Sequence, residues 1–461
     1  MEEGRGGPRR RGAAFDRDWT KGSILGNLWG LSWPMMVTQA ITTLGPTIDM
    51  IWLGKLGAAS MAGVGVSGNI VMLVSTVRTG LTTGTRAIIS RSIGAGDKDA
   101  ANHVANQSFV VSVLFAIVSA VIGLFLSRQM LQAIGLAPDA LAEGTAYLQI
   151  QLVGMVTTSF QMLSQSLMQA SGDSKTPMNI SLITRAFHVA LSPLLIFGWG
   201  PFPRLGVSGA ALTGVISQGV AGVWGMWILY TGHTRLQLDM KNFRFDWPMI
   251  WRITKIGIPA SLMGAERSSA TLLVTWFVIP FGTFAVAAHS LMERIDNFIR
   301  MPAMAMGQGA GVLAGQNLGA KQPERAEKTG WLAAGIFTAV LIIISVGIWF
   351  WPQFVIRIFN TQAGLVDIAV VFLRIQLINF TVGATTLVLM GCLNGVGDTW
   401  IPMLNTMITL WGVQMPLAFA LSRYTSLGVY GVRWAMAIAI VIRAAIYAIY
   451  FKMGRWKRAK V

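Results

Sequence analysis

An internal repeat constrains the fold of this 461-residue chain more than any other feature. The segment 172–178 (G-D-S-K-T-P-M) shares four residues with 397–403 (G-D-T-W-I-P-M) at a constant offset of 225 positions. The same offset relates further glycine, alanine and proline pairs, among them Gly84 with Gly309 and Pro34 with Pro259. A fixed offset held over most of a chain indicates two diverged copies of one unit.

The composition places both copies in a membrane. The chain is 53% hydrophobic and 12% charged, about half the charge of a soluble domain. A transmembrane helix needs ~20 mostly apolar residues. The first copy supplies six such stretches, at 25–53, 61–88, 104–126, 144–170, 177–199 and 207–231. The second copy supplies six more, at 254–281, 284–313, 330–351, 367–392, 401–422 and 428–451.

These stretches predict an all-α membrane protein with twelve transmembrane helices in two six-helix lobes. Because six is an even number, both copies enter the membrane from the same side, and the repeat is parallel. The polar, arginine-rich start reads as a disordered tail. We expect a cytoplasmic tail at 1–22, an N-lobe at 23–232, a cytoplasmic linker at 233–253, a C-lobe at 254–452 and a basic cytoplasmic tail at 453–461.

Lysine and arginine fix the orientation and explain the net charge of +17. With the N-terminus inside, inner segments carry 22 Lys and Arg residues and outer loops carry five, as the positive-inside rule requires. We therefore expect a multi-pass protein of the inner (cytoplasmic) membrane with both termini cytoplasmic, and no nucleic-acid partner. With one cysteine the chain cannot form an internal disulfide. The sequence contains no motif for a metal site, a phosphate-binding loop or a catalytic nucleophile, so we expect neither an enzyme nor a cofactor.

Charged residues inside the apolar stretches are the candidate functional residues, because a charge at mid-bilayer costs ~2.5–3.5 kcal/mol on insertion scales. On the eighth helix His289, Glu293, Asp296 and Arg300 stand at i, i+4, i+7 and i+11, which places them on one face. Such a stripe indicates a wet cavity or partner charges. A structural ion-pair seam and a metal site are the alternatives.

The fifth helix carries a second polar face. Arg185, His188 and Ser192 stand at i, i+3 and i+7, and Asp49 is the one acid in the first-copy helices. We expect Asp49 to reach Arg185 or His188 across a first-lobe cavity. Glu266 on the seventh helix lines a cavity or joins a seam, and we favour the cavity. Three intramembrane arginines are interpreted as snorkelling from helix ends: Arg86, Arg374 and Arg433.

Several motifs together resemble the multidrug and toxic compound extrusion (MATE) transporters. They are the two segments above, S-I-G-A-G-D at 92–97, G-Q-N-L-G-A-K-Q-P-E-R-A at 315–326 and T-I-D-M-I-W-L-G-K-L-G at 47–57. The resemblance implies two six-helix lobes around a central cleft, and export of cationic amphiphiles in exchange for protons or sodium ions. It also implies a coupling or substrate role for Asp49 and for Glu266.

The chain departs from that family on the fifth helix. Many members carry Asn, Asn and Asp where this chain has Arg185, His188 and Ser192. An added arginine argues against a bound sodium ion at this place, so protons are the favoured coupling ion.

The sequence thus predicts an antiporter that exports amphiphilic, cationic compounds and works as a monomer among membrane lipids. The residues expected to bind ion or substrate are Asp49, Glu266, Glu293, Asp296, His289, Arg300, Arg185 and His188. Two alternatives remain. One is a flippase for a lipid-linked or anionic amphipathic substrate, which the excess of intramembrane arginines favours. The other is an intramembrane enzyme built on His289 and Glu293, which would need a metal or a nucleophile.

Overall fold

The computed structural model describes residues 17–200, 202–238, 243–359 and 361–459, and in these ranges the regular structure is helical. Eight of the described helices are long and apolar enough to cross a membrane, judged by length and composition. The predicted all-α fold with transmembrane helices is therefore confirmed.

Within the described ranges the long helices group into twelve, six in each repeat, and we number them as spans 1 to 12. The first lobe comprises Ile24–Leu53 (span 1), Ala58–Gly94 (span 2), Lys98–Ala133 (span 3), Pro138–Val153 continued by Met155–Ser171 (span 4), Lys175–Phe197 (span 5) and Gly206–Tyr230 (span 6). The second lobe comprises Trp247–Val278 (span 7), Thr283–Gly319 (span 8), Pro323–Phe350 (span 9), Ala363–Gly395 (span 10), Trp400–Met407 continued through the π-helix Ile408–Gln414 to Met415–Arg423 (span 11), and Val429–Met453 (span 12). A short helix, Pro352–Arg357, follows span 9.

Acidic side chains begin several spans by accepting hydrogen bonds from free backbone amides, as N-caps do. Asp173 accepts from the amide of Thr176 at 3.0 Å, just before the first turn of span 5. Asp246 accepts from the amide of Met249 at 3.0 Å and begins span 7. A hydrogen bond from His103, with the Met249 amide, lowers the pKa of Asp246.

The repeat is visible in the loops as well as in the helix order. After span 4 the chain turns at Gly172 (φ 98°), and after span 10 it turns at Gly397 (φ 89°). Each glycine is followed by an aspartate whose amide donates to a carbonyl five residues earlier, at 2.9 Å and 3.0 Å. The left-handed conformation is easy only for glycine, which explains why both copies keep it there.

The two lobes meet closely at the inner ends of spans 2 and 8, where the predicted orientation places the cytoplasm. A Cβ added to Gly94 would overlap the carbonyl oxygen of Gln316, and a Cβ added to Gly319 would overlap that of Arg91. Both pairs are related by the 225-residue offset, so the contact lies on the pseudo-two-fold axis. We call this contact the inner seam.

Span 1 also crosses between the lobes. Its inner residues Leu28 and Leu31 are buried in the same apolar cluster as Val312 and Leu313 of span 8. Burial of apolar surface therefore adds to the inner seam, at roughly 25 cal/mol per Å² removed from contact with solvent.

The segments at both ends of the chain are more ordered than the sequence suggests. Within the expected tail 1–22, residues 1–16 lie outside the described residues, but Trp19 is buried in the core. In the expected tail 453–461, Trp456 is buried and stacks on Phe451 at 4.7 Å between ring centroids; residues 460–461 lie outside the described ranges. Burying a large aromatic surface fixes both segments.

The linker between the lobes is likewise partly folded. Leu236 and Leu238 are buried against the first lobe, and span 7 begins at Trp247 rather than at 254. Residues 239–242 of the expected linker lie outside the described residues. The apolar side chains of a polar-looking stretch explain the difference, because they pack against spans 3 and 6.

Candidate functional site

A cavity of about 350 Å³ lies in the second lobe and reaches span 2 of the first, a size typical of small-molecule sites. Most of its wall is apolar, with methionine, leucine, alanine and phenylalanine side chains from spans 7, 8 and 10. Six charged side chains line it: Arg86, Arg267, Glu293, Asp296, Arg300 and Arg443. We call this space the central cavity.

The inner seam forms the floor of the central cavity. Arg86 in the cavity wall is four residues, or ~6 Å of helix, before Ser90, and Ser90 donates to the carbonyl of Gly395 across the seam at 3.4 Å. Nearby, Gln316 of the second lobe donates to the carbonyl of Ala170 at 2.9 Å. The inter-lobe contacts of the seam therefore lie directly at one end of the cavity.

Asp296 is the centre of a polar network in the cavity wall. Its Oδ2 accepts from Arg300 Nη1 at 3.3 Å, and its Oδ1 accepts from Gln376 Nε2 at 3.2 Å. The Gln376 carbonyl oxygen in turn accepts from Asn379 Nδ2 at 3.1 Å and from Arg433 Nη1 at 3.3 Å. Buried polar groups are stable when each member has partners, so this network holds the acid in a fixed position.

His289 lies behind the wall and not on the cavity. Arg433 Nη2 is 2.7 Å from His289 Nδ1 and donates to its backbone carbonyl at 3.2 Å. A guanidinium only donates, so Nδ1 accepts and the ring proton sits on Nε2. That atom is buried without a hydrogen-bond partner in the described part of the chain. The ring is therefore neutral in this arrangement, which argues against His289 as a proton carrier.

Arg433 does not snorkel, contrary to the sequence interpretation. Its side chain is 1% exposed and its guanidinium lies 4.8 Å from the ring centre of Phe372. Arg86 does not snorkel either, because it lines the central cavity. Arg374 is exposed and contacts the ring of Trp349 at 5.5 Å, as expected for a snorkelling side chain. The position of each arginine along its helix did not distinguish buried from exposed side chains, because residues on neighbouring helices determine where each guanidinium lies.

The cavity carries arginines that the list of expected site residues lacked. Arg443 Nε donates to Thr409 Oγ1 at 2.7 Å, while its Nη2 is buried without a partner among the described residues. Arg267 is close enough to interact electrostatically with Glu293 and Asp296, and also with Arg443. Their mid-span position, away from helix ends, was the signal that could have identified both.

Glu266 is not among the residues that line the central cavity, contrary to the cavity interpretation. It is half-buried, one carboxylate oxygen has no hydrogen-bond partner in the described ranges, and its electrostatic partner is Arg443. The lining residues of span 7 centre on Arg267, and Glu266 points ~100° around the helix from it, at the edge of the cavity-facing side.

A second polar centre lies in the first lobe. Asp49 Oδ1 is 3.0 Å from His188 Nε2 and accepts from Ser192 Oγ at 3.1 Å. The side chains of Asp49 and His188 are 16% and 4% exposed. The expectation that Asp49 reaches span 5 agrees with this geometry. None of the three residues lines the central cavity, so the two polar centres are separate.

Arg185 does not form an ion pair with Asp49. Its Nη2 donates to the backbone carbonyl of Thr42 at 3.3 Å, and its guanidinium fills the space beside Gly45, where a Cβ would overlap it. The arginine lies close enough to Asp49 to act on it electrostatically. Arg185 therefore fixes span 5 against span 1 and adds positive charge near the Asp49–His188 pair.

No group of three or more His, Cys, Asp or Glu side chains in the described ranges could hold a metal ion. Around the central cavity, Arg433 and Glu266 join the six lining residues. The region then holds five arginines and three acids, an excess of two positive charges. The arrangement can bind an amphipathic molecule and stabilise a negative group on it.

Comparisons with known proteins agree with the fold. A family model described as MatE matches residues 34–194 and 259–420. The probable multidrug resistance protein YpnP of Bacillus subtilis (strain 168) is 26% identical over 446 residues, which cover 96% of this chain and 98% of that protein. The probable multidrug resistance protein NorM of Thermotoga maritima is 26% identical over 439 residues, with 94% and 93% covered.

Solved structures share the same architecture. A crystal structure of MATE in the bent conformation has a TM-score of 0.89 at 22% identity, covering 94% of this chain and 96% of its own. A MOP superfamily transporter from Pyrococcus furiosus, described by a binding pocket of reverse polarity that suggests a different function, has a TM-score of 0.87 at 23% identity, with the same coverage. The family model covers most of both repeats. The chain therefore belongs to the MatE family, and it is a membrane transporter.

Proposed function

We propose that the chain is a secondary active exporter of amphipathic organic molecules that carry a negative group, driven by proton entry. The observation that carries this proposal is the charge of the central cavity, where arginines outnumber acids by two in an otherwise apolar wall. Export would run outward across the cell (inner) membrane, with both termini cytoplasmic as the distribution of lysine and arginine predicts.

The cargo class follows from the electrostatics of the cavity. An excess of buried positive charge is unfavourable unless an anion compensates it. Arg86 has no carboxylate within ion-pair distance among the described residues, and its Nε is buried without a partner. The resemblance to MATE transporters implied a cationic cargo, whereas these local charges favour an anionic or zwitterionic head group. The apolar wall suits the rest of an amphipathic molecule.

Coupling is assigned to the Asp49–His188 pair. The His188 imidazole and the Asp49 carboxylate are 3.0 Å apart, so a proton can pass directly between them, and imidazole serves as a proton shuttle in many proteins. Sodium fits less well, because the carboxylate oxygen already accepts two hydrogen bonds and Arg185 repels a bare cation. Asp296 pairs with Arg300, Glu293 lies close enough to Arg267 to interact with it electrostatically, and we assign both acids to shaping the cargo site. Glu266 stays a candidate for a second proton site beside Arg443.

The transport cycle is proposed as alternating access between the lobes. The inner seam closes one end of the cleft, so cargo release would occur at the other end. Breaking the seam while the opposite ends approach would expose the central cavity to the cytoplasm. Each proton that moves inward down ~100 mV supplies ~2.3 kcal/mol, and we expect one chain to suffice for the cycle.

Transport of a lipid-linked anion is the second candidate. The same arginines would hold a phosphate group in the central cavity, while the acyl chain would stay in the membrane. The two candidates differ in whether a water-soluble anion without a lipid chain is carried.

The test uses two dyes that share a xanthene core, anionic fluorescein and cationic rhodamine 6G, in proteoliposomes with imposed proton or sodium gradients. We expect proton-driven export of fluorescein. Arg86→Gln should reduce fluorescein transport at least tenfold. The matched control is Arg294→Gln, which removes an exposed arginine from span 8 and should leave transport unchanged.

The outcomes separate the candidates. Transport of rhodamine 6G alone, insensitive to Arg86→Gln, would contradict the anionic cargo class. Movement of a labelled lipid phosphate without any fluorescein transport would favour the flippase. A sodium gradient that drives export when no proton gradient is imposed would overturn the assignment of the coupling ion.

The coupling residue is tested separately. Asp49→Asn removes the charge while it keeps the side-chain shape, so we expect dye exchange at equilibrium to persist and proton-driven accumulation to be lost. Asp367→Asn at the exposed start of span 10 is the control. Full proton-driven accumulation in Asp49→Asn would exclude this aspartate as the coupling site.

A further inference from the structure

A buried arginine in the first lobe takes no part in the transport chemistry proposed above. Arg78 lies on span 2 and is 9% exposed. Span 2 runs from Ala58 to Gly94, which leaves Arg78 ~24 Å of helix from the inner end and ~30 Å from the outer end. Its side chain is too short to reach either membrane surface, so the charge remains near the middle of the membrane.

The guanidinium of Arg78 is poorly satisfied. Its Nη2 donates to Ser75 Oγ at 3.2 Å, and its Nη1 lies 3.8 Å from the sulfur of Met155, a weak acceptor. Its Nε is buried without a partner among the described residues. None of the ion pairs found in the described ranges includes Arg78. A buried charge without a counter-charge is strongly unfavourable, so this arginine needs an anion.

Hydroxyl groups surround a small pocket at Arg78. The pocket lies between spans 2, 3 and 4 and has room for one atom of about the size of a water molecule, at about 10 Å³. Five of its lining residues carry hydroxyl groups: Thr82, Thr85, Ser108, Ser112 and Ser159. The first three donate to backbone carbonyls of their own helices. The Ser159 hydroxyl is 1% exposed at the residue level and has no hydrogen-bond partner in the described ranges. No carboxylate is part of the lining.

We propose that this pocket binds a single halide ion, chloride under physiological conditions, as the counter-ion of Arg78. The guanidinium on span 2 and the Ser159 hydroxyl on span 4 supply free donors from two sides, and the Ser112 hydroxyl of span 3 also lines the pocket. Donors of this kind suit a monatomic anion. At about 10 Å³ the pocket excludes phosphate, sulfate and carboxylates, which are several times larger than a water molecule. A chloride ion is somewhat larger than water and fits when the surrounding side chains move outward slightly. The ion neutralises the arginine and joins three helices of the first lobe.

The experiment measures thermal unfolding of the purified protein in detergent, with sodium chloride replaced by sodium gluconate at constant ionic strength. We expect the wild-type midpoint to rise with chloride in a saturable way. Arg78→Met should show no chloride dependence and, without chloride, should be at least as stable as the wild type. Arg294→Met, at an exposed position on span 8, is the control and should keep the wild-type chloride dependence.

Two further measurements keep the proposal falsifiable if Arg78→Met does not fold. Ser159→Ala retains the arginine but removes one donor, so the chloride concentration for half-maximal stabilisation should rise about tenfold. Bromide soaked into crystals should give an anomalous peak within hydrogen-bond distance of the Arg78 guanidinium. A pocket that holds water only, or an equal chloride dependence in the wild type and in Arg78→Met, would overturn the proposal.

Discussion

The inner seam gives the sharpest test of how the two lobes are held together. Gly94 and Gly319 are repeat-related, and an added Cβ at either one would lie well under 3 Å from a carbonyl oxygen of the opposite lobe. Backbone atoms cannot move aside as a flexible side chain can. We therefore expect Gly94→Ala combined with Gly319→Ala to push the lobes apart at their inner ends.

The magnitude follows from the number of overlaps. Overpacking a well-packed contact costs ~1–3 kcal/mol, so two overlaps cost about 2–6 kcal/mol. Each 1.4 kcal/mol changes a population ratio tenfold. The ratio of inner-closed to inner-open molecules should therefore fall by roughly 30-fold to 10⁴-fold. A change of ~5.5 kcal/mol would convert a 99:1 mixture to 1:99.

The assay is pulsed electron–electron double resonance, which measures the distance between spin labels attached to Asp99→Cys and Glu324→Cys. These positions are exposed, repeat-related and at the inner ends of spans 3 and 9. The single native cysteine, Cys392, is buried and is replaced by alanine in all variants. We expect one short distance in the starting protein and a longer one in the double glycine variant.

The control variant is Gly335→Ala, whose added Cβ would meet nothing within 4 Å. It should leave the distances unchanged and stabilise span 9 by up to ~1 kcal/mol through helix propensity. Identical distance distributions in the double variant and in Gly335→Ala would refute the reasoning, because the seam would then tolerate the extra atoms without opening.

Three further predictions concern stability. Arg433→Met should lower the free energy of unfolding, measured by chemical denaturation in detergent, by about 3 kcal/mol. His289 Nδ1 would lose its donor, and the His289 carbonyl oxygen and Gln376 Oε1 would each lose one donor. An unchanged free energy of unfolding would mean that the network is not stabilising. Trp456→Ala should lower the free energy of unfolding by ~3 kcal/mol or more, because it removes a buried ring stacked at 4.7 Å on Phe451. The unfolding midpoint should fall accordingly, and a midpoint equal to that of the wild type would show that the C-terminal segment is not docked. The pKa of Asp246 is lowered in the folded state, so its contribution to the free energy of unfolding is present above the unfolded pKa of ~3.9 and is lost as pH falls through the folded value. Acid titration of Asp246→Asn should therefore show a flatter loss of stability below about pH 5 than the wild type. An unchanged profile would contradict the capping role.

The candidate site shows that helix periodicity predicts which side chains share a face but not which residues they contact. The eighth-helix spacing identified one polar face, and three of its four residues line the central cavity. His289 shares that face but lies against Arg433, which is 144 residues away. Periodicity fixes the direction of a side chain relative to its own helix, whereas the rotation of the neighbouring helix decides what it meets.

The arginines illustrate the same limit. Arg86, Arg433 and Arg374 share a residue type and an intramembrane position, yet the first lines the cavity, the second is fully buried and the third is exposed. A long side chain can point to either end of its helix, so its environment depends on the surrounding bundle.

The sequence by itself determined the two copies and the apolar stretches that form the long helices, because these depend on composition and on a repeat within the chain. The tertiary structure decided which charges meet. In the folded chain Asp49 pairs with His188, and Glu266 is not among the residues that line the central cavity. Three arginines from different helices line that cavity together: Arg86, Arg267 and Arg443. Contacts between residues more than a hundred positions apart depend on how whole helices pack and rotate, and that information is not contained in any single stretch of sequence.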